Sequence, residues 1–420
     1  MKKIISYILI FLCAKNICAQ EKLLFIGATA HLGNGEKIEN SIISVKDGRF
    51  DLIGDAKSIR INPDSFDTII KLYGKHIYPG FILTNNILGI TEISAVRASN
   101  DYNEVGEFNP NVRSIIAFNT ESKIINTVRS NGILITQATP KGGIMSGQSS
   151  IMLMDGWNWE DACLKESDGI HLNWPSSYHT SGWWGNHGET SKNKKYIETV
   201  SSIKDFLRKA SAYAKSNSKK DLRLESTRGL FNGNKILYIH AKYAKEIRES
   251  IIFCKEIGVQ HIVLVGGKDV LNALTVLKKH QIPVILDRIH RLPINQDSPI
   301  DEAYILPSKL KENDILFCLS YNGEMEAMGS RNLPFTAGTT IAYGMSPEEA
   351  LSTITLNAAK ILRIDKTDGS IEHNKNATFF ISSGDALDIK TNHVEQAYIK
   401  GKPINLNNHQ KDLFNKFKDH

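Results

Sequence analysis

Short apolar runs broken by turn residues open the chain: Leu24-Phe25-Ile26 before Gly27, Ser41-Ile42-Ile43-Ser44-Val45 before Lys46-Asp47-Gly48, then Thr68-Ile69-Ile70-Lys71-Leu72. This pattern predicts β-strands, with Asp47-Gly48 as the turn of a tight hairpin. The same texture returns near the other end, in Ala377 to Ile381 and in Ala397-Tyr398-Ile399 ahead of Lys400-Gly401-Lys402. Two β-rich flanks around a different centre predict one small β-sandwich domain assembled from both ends of the chain, over 22–77 and 366–410.

Between the flanks, strand-like and helical patterns alternate. Strands are predicted at 81–83, 132–136, 236–239, 262–265, 283–286 and 315–319, and helices at 244–257, 270–280, 301–312 and 346–356. Ser346-Pro347-Glu348-Glu349 supplies the cap and first turn of the last helix. Such alternation is the signature of βα units and a parallel sheet, and six or more units predict a closed barrel over 78–365 with its chemistry at the strand C-terminal ends. The fold class expected is α/β, a distorted TIM (β/α) barrel carrying the small β-sandwich. A doubly wound dinucleotide-binding sheet is disfavoured because no Gly-x-Gly-x-x-Gly follows an early strand.

Two stretches break the rhythm. Residues 154–217 hold all five tryptophans and a helical stripe of Tyr196, Val200, Ile203, Phe206, Leu207, Ala210 and Tyr213. They read as an insertion over the barrel mouth that packs its own aromatic core, or else as the aromatic wall of a pocket. Thr139 to Ser150 reads as a Gly- and Ser-rich connection, with anion binding by its backbone amides as the sharper alternative.

Composition narrows the partners. With 420 residues, 41% hydrophobic and 23% charged, the chain suffices for one barrel and an accessory domain. Lys2 and Lys3, the apolar run Ile4 to Cys13 and a small residue at Ala19 read as a signal peptide over 1–19, so the mature protein is expected to be secreted or periplasmic, with no membrane span after cleavage. Removing Lys2, Lys3 and Lys15 from the 51 basic residues leaves 48 against 45 acidic ones, a net charge of +3, too small to imply nucleic acid. Cys163, Cys254 and Cys318 are widely scattered, which argues against a disulfide framework and against a structural zinc site.

Tyr78-Pro79-Gly80-Phe81-Ile82-Leu83-Thr84-Asn85-Asn86-Ile87-Leu88-Gly89 resembles the first barrel strand of the amidohydrolase superfamily, where a Pro-Gly-hydrophobic run leads into Asp-x-His-x-His. Ile239-His240-Ala241 with Gly258-Val259 is similar to the fifth strand of its imidazolonepropionase-like branch. Gly344 to Leu351, Thr355 to Leu362 and Gly369-Ser370-Ile371 resemble the block that packs the last helix and returns the chain to the β-domain. The resemblance implies a hydrolase of C–N bonds in cyclic amides or dipeptide-like small molecules, with a divalent metal, zinc if any, at the mouth.

Carried over residue by residue, the family's metal ligands are mostly missing. Asn85 and Ile87 stand at the two first-strand histidine places, Leu264-Val265-Gly266-Gly267 near the sixth-strand histidine, and Leu319-Ser320-Tyr321-Asn322 where the eighth-strand aspartate belongs. No lysine sits at the fourth-strand end to be carbamylated, and the Gly-Lys-x-Ala-Asp turn is altered to Asn374-Lys375-Asn376-Ala377-Thr378. Only His240 survives. A neutral amide oxygen and an aliphatic chain do not replace imidazole for zinc, so no cofactor is expected, and a weak metal at most.

The remaining candidates follow from position. His240, at a strand end, could serve as general base, with Asp287 and Glu324 as the carboxylates of the same rim. Asn85, Arg97, Asp101, Lys141, Arg288, His290, Asn322 and Arg331 are the candidate substrate contacts. The partner expected is a small molecule, and a homo-oligomer is left open. The alternative to an enzyme is an inactive barrel that binds a small ligand or a partner protein.

Overall fold

The computed structural model describes residues 21–183, 186–216, 219–293, 297–323 and 325–418. At its centre lies an eight-stranded sheet of β1 (Phe81–Asn86), β2 (Ile133–Ala138), β3 (Met145–Leu153), β4 (Cys163–Asn173), β5 (Ile236–Ala241), β6 (His261–Gly266), β7 (Val284–Leu286) and β8 (Phe317–Leu319), paired in that order. A parallel bridge between Thr84 and Ser320 joins the outer strands and closes the barrel. The core of β5, Ile236-Leu237-Tyr238-Ile239, is buried throughout, as expected of a strand enclosed on both faces.

Six of the eight strands coincide with the sequence expectation; β3 and β4 do not. The second half of the Gly- and Ser-rich stretch, from Met145, belongs to β3, and the segment assigned to an insertion contributes β4, whose residues pair with β5. Both strands carry polar side chains that face protein partners rather than water, which hid their character. β3 runs antiparallel to β2 and β4, whereas the other pairs are parallel. The cause is connection length: 139–144 and 154–162 are too short for the crossover of a dozen or more residues that a parallel pair needs. Chain direction is restored at β4, so its C-terminal end reaches the same rim as that of β2.

Helices cover the barrel. Ala244–Glu256 and Glu302–Glu312 fall where expected, while 270–280 begins as a 3₁₀ turn over Val270–Ala273 before the helix Leu274–His280. The expected helix at 346–356 is instead two, Pro347–Ser352 and Leu356–Leu362; Ser346 and Glu349 form the capping box that starts the first. In Tyr196–Ala214 the predicted stripe is buried at Tyr196, Val200, Ile203, Leu207, Ala210 and Tyr213, with Phe206 packed at its edge. Trp174 is likewise enclosed and its Nε1 donates to the Tyr196 hydroxyl at 3.3 Å, whereas Trp157 is 90% exposed. Trp184 lies outside the described residues.

The flanks form two sheets, one with Leu23–Ile26 and Ser41–Lys46 at its centre, the other pairing Phe379–Ser382 with His76–Pro79 and Val394–Ile399. Asp47 (φ 50) and Gly48 (φ 74) both adopt the left-handed conformation that the tight hairpin requires. Between the sheets Phe25 meets Phe379 edge-on, and within the second sheet Phe379 stacks on its cross-strand partner Tyr398 at 4.8 Å. Asn374, at the place of a family glycine, keeps a left-handed φ of 66, which asparagine tolerates better than most residues. Cys163, Cys254 and Cys318 are free thiols, and burial pushes Cys254 and Cys318 up to about 12, which disfavours their reactive thiolates. Among the described residues no helix is long and apolar enough to cross a membrane.

Candidate functional site

A polar layer inside the barrel supports the mouth. Asp168 on β4 is fully buried; its carboxylate accepts from Lys165 Nζ at 2.8 Å, from Gln137 Nε2 at 2.8 Å and from the Tyr238 hydroxyl. Gln137 Oε1 in turn accepts the Asn85 backbone N–H at 2.9 Å, and Tyr238 stacks on His171 with ring centres 4.6 Å apart. These bonds link β1, β2, β4 and β5 through side chains inside the barrel.

Above it lie two histidines. His171 on β4 is fully buried, and its Nδ1 is 2.9 Å from His240 Nε2 on β5. One ring donates and the other accepts, so the pair shares a proton. Burial, reinforced by the Lys141 ammonium, pushes His240 down to about 3; burial, His240 and Lys141 hold His171 well below the ordinary histidine range. Both rings are neutral near pH 7. A general base at His240 would call for a pKa near neutrality, whereas burial beside a cation disfavours the imidazolium. His171 Nε2 is buried without a hydrogen-bond partner. Sequence reading missed His171 because it fell in the presumed insertion; the alternation of His171 and Asn173 beside Ile170 and Leu172 was the available signal.

Lys141 reaches this site from the short turn joining β2 to β3. Its backbone N–H donates to Tyr102 O at 2.7 Å, and its Nζ lies 3.3 Å from Asn85 Oδ1 and 3.6 Å from Glu326 Oε1. Asn85 takes a left-handed φ of 50 at an irregularity in the β1–β2 pairing, and its buried Nδ2 has no acceptor. Glu326 is held by the N–H groups of Ile87 (3.1 Å) and Gly323 (2.9 Å). Ile87 itself packs against the core.

In the turn beyond Lys141, the amides of Ile144 and Met145 are engaged by protein. The N–H groups of Ile144 and Met145 both donate to Glu107 O, and the carbonyl of Gly143 accepts from Asn173 Nδ2 at 2.8 Å. Gly142 (φ 83) and Gly143 (φ 59) are required here: a Cβ on Gly143 would lie 2.8 Å from Gly106 O. Gly143→Ala is expected to cost about 1–3 kcal/mol and to displace Lys141. A thermal melt checks this, and an unchanged midpoint would mean that the turn relaxes freely.

The other candidates divide. Asp287 follows β7; its Oδ1 accepts from Asn322 Nδ2 at 2.6 Å, and the Arg288 guanidinium lies over the Tyr321 ring. These belong to the rim on the β7–β8 side, where burial lowers the pKa of Lys268. His290 is turned to Thr339, with Nε2 and Oγ1 2.8 Å apart. Asp101 lines a surface cleft of about 570 Å³ with Tyr102, Arg113 and Pro140, and Arg97 is exposed on the 3₁₀ segment Arg97–Ser99. Arg331 is not brought to the mouth: its carbonyl accepts from Asn131, which precedes β2 and so marks the opposite end of the barrel. Glu324 lies outside the described residues. Among the described residues no cluster of three or more His, Cys, Asp or Glu side chains is placed to hold a metal ion.

The amidohydrolase family model matches residues 225–406, from the helix before β5 to the second flank. An amidohydrolase from Thermotoga maritima MSB8 superposes with a TM-score of 0.77 at 22% identity, covering 91% of this chain and 99% of that one. A Xaa-Pro dipeptidase with bound methionine gives 0.56 at 13% identity, covering 91% and 99%. An adenosine deaminase from Xanthomonas campestris with bound zinc gives 0.52 at 12% identity, covering 91% and 92%. No curated protein matches the sequence.

Proposed function

We propose that this chain is an exported hydrolase of the amidohydrolase superfamily, in its imidazolonepropionase-like branch, acting on C–N bonds of cyclic amides or dipeptide-like small molecules. The observation that carries this reading is the convergence of His171, His240, Lys141, Asn85 and Glu326 on the rim where β-strands of such barrels end, the rim that carries chemistry in this architecture. The match over residues 225–406 and the dipeptidase among the similar structures favour this bond class.

The family's divalent metal does not suit the residues present. Of the places where ligands belong, Asn85 has its oxygen turned to an ammonium, Ile87 is aliphatic, Gly266 has no side chain, and His240 Nε2 is engaged by His171. Lys141 adds a fixed positive charge that opposes a second cation. A degenerate metal site is therefore part of the proposal.

The same residues favour a second reading, a barrel that binds a small ligand or partner protein without turnover. Metal analysis of the purified mature protein, with a turnover screen of cyclic amides and dipeptides, separates the two. Hydrolysis that survives chelation is the expected result. Stoichiometric zinc with chelator-sensitive turnover would overturn the degenerate site, and absence of turnover across the panel would leave the binding reading in its place.

A further inference from the structure

Among the described residues the mouth is short of acceptors. Asn85 Nδ2 is a donor in every protonation state, is fully buried and is unbonded. Its identity is fixed by the neighbour of the other amide atom: Lys141 Nζ, donor only, lies at 3.3 Å from Oδ1, so exchanging the two atoms would set donor against donor. Lys141 offers three N–H bonds, and the only protein oxygens placed near its Nζ among the described residues are Asn85 Oδ1 and, at a long 3.6 Å, Glu326 Oε1. Glu326 is itself shared with the N–H groups of Ile87 and Gly323. The buried, unbonded Nε2 of His171 becomes a further donor when His171 Nδ1 accepts from His240.

An unfilled buried amide donor beside a half-satisfied ammonium calls for an oxygen with negative charge, since charge-assisted bonds are the strongest available there. Lys141 is also built into place: its backbone N–H is bonded to Tyr102 O, and the turn after it is pinned by Asn173. We propose that Lys141 and Asn85 form a carboxylate-binding pocket, so that the ligands of this barrel are small molecules bearing a free carboxylate, such as N-acyl amino acids and dipeptides. The ammonium takes up the electrostatic work of a cation at this rim, and the buried amide fixes the orientation of the bound group.

This inference deepens the reading of the site given above, but its test is separate from turnover. The probe is N-acetyl-L-alanine, compared with N-acetyl-L-alaninamide, titrated calorimetrically into the full mature chain near pH 7. The acid is expected to bind about 10-fold or more tightly than the amide, the preference being lost in Lys141→Met, kept in large part in Lys141→Arg and weakened in Asn85→Leu. Equal affinity of acid and amide for the unaltered protein, or an acid preference unchanged in Lys141→Met, overturns it. The wild-type comparison needs no variant to fold. An acid preference without any hydrolysis removes the enzyme reading alone, and hydrolysis without an acid preference removes this pocket alone.

Discussion

Asp168→Ala is expected to destabilise the fold by about 3–5 kcal/mol, a large share of the roughly 5–15 kcal/mol by which a domain is stable. Three donors converge on that carboxylate inside the barrel: Lys165, Gln137 and the Tyr238 hydroxyl. Without it, Lys165 Nζ keeps only the Leu362 carbonyl at 2.9 Å among its hydrogen-bond partners, and the buried Tyr238 hydroxyl loses its acceptor. Breaking a buried pair from one side costs far more than the net worth of the pair, because the stranded groups stay desolvated. Asp168→Asn, which keeps an acceptor oxygen, should cost less. Urea titration followed by circular dichroism measures both, and a loss below about 1 kcal/mol for the alanine variant would show that water or a rearranged Lys165 replaces the carboxylate. Because Tyr238 stacks on His171, ligand binding at the mouth should weaken with stability.

The second large effect concerns His240. If the barrel turns over a C–N substrate, His240→Ala is expected to lower the rate by about 100-fold. The neutral ring shares a proton with His171 and is displaced far from its ordinary pKa, so the pH–rate profile should lack an inflection near 6.5 from this residue. Linkage gives a companion result. The folded pKa of about 3 lies below the unfolded value of 6.5, so between these limits the unfolded chain binds more protons, and stability falls as pH drops from 6.5 toward 3. His171 is shifted in the same direction and adds to that slope. Melting temperatures of the protein and of the His171→Leu/His240→Ala variant across this window provide the measurement. The double variant should show the shallower dependence, and parallel curves would mean that the rings are charged or hydrated in the folded state.

The parts legible in the sequence were those where a local pattern and a local cause coincide. Asp47-Gly48 announces a hairpin because two consecutive left-handed residues need that chemistry, and Ser346 with Glu349 announces a helix start because both caps act within one turn. β3 and β4 were illegible for the opposite reason. Ser146, Gln148, Ser149 and Ser150 are buried in β3, and Asp168 and His171 in β4, so polarity there reports a hydrogen-bonded interior and not a loop. The glycine pair at 142–143 was visible as a turn, yet its bonding shows that it orients Lys141, where a cradle for anions had been the alternative.

Sequence alone determined which atoms are available to coordinate or bind: an amide at Asn85, an aliphatic chain at Ile87, no side chain at Gly266 and imidazole at His240 are properties of the residues themselves. Tertiary structure alone decided which of them meet. Lys141 reaches Asn85 and Glu326, and His171 reaches His240, across separations of 56, 185 and 69 positions, through a sheet whose order no local pattern encodes. The same contacts set protonation, because a side chain's pKa depends on its burial and on the charges brought beside it, and both are consequences of the closed barrel.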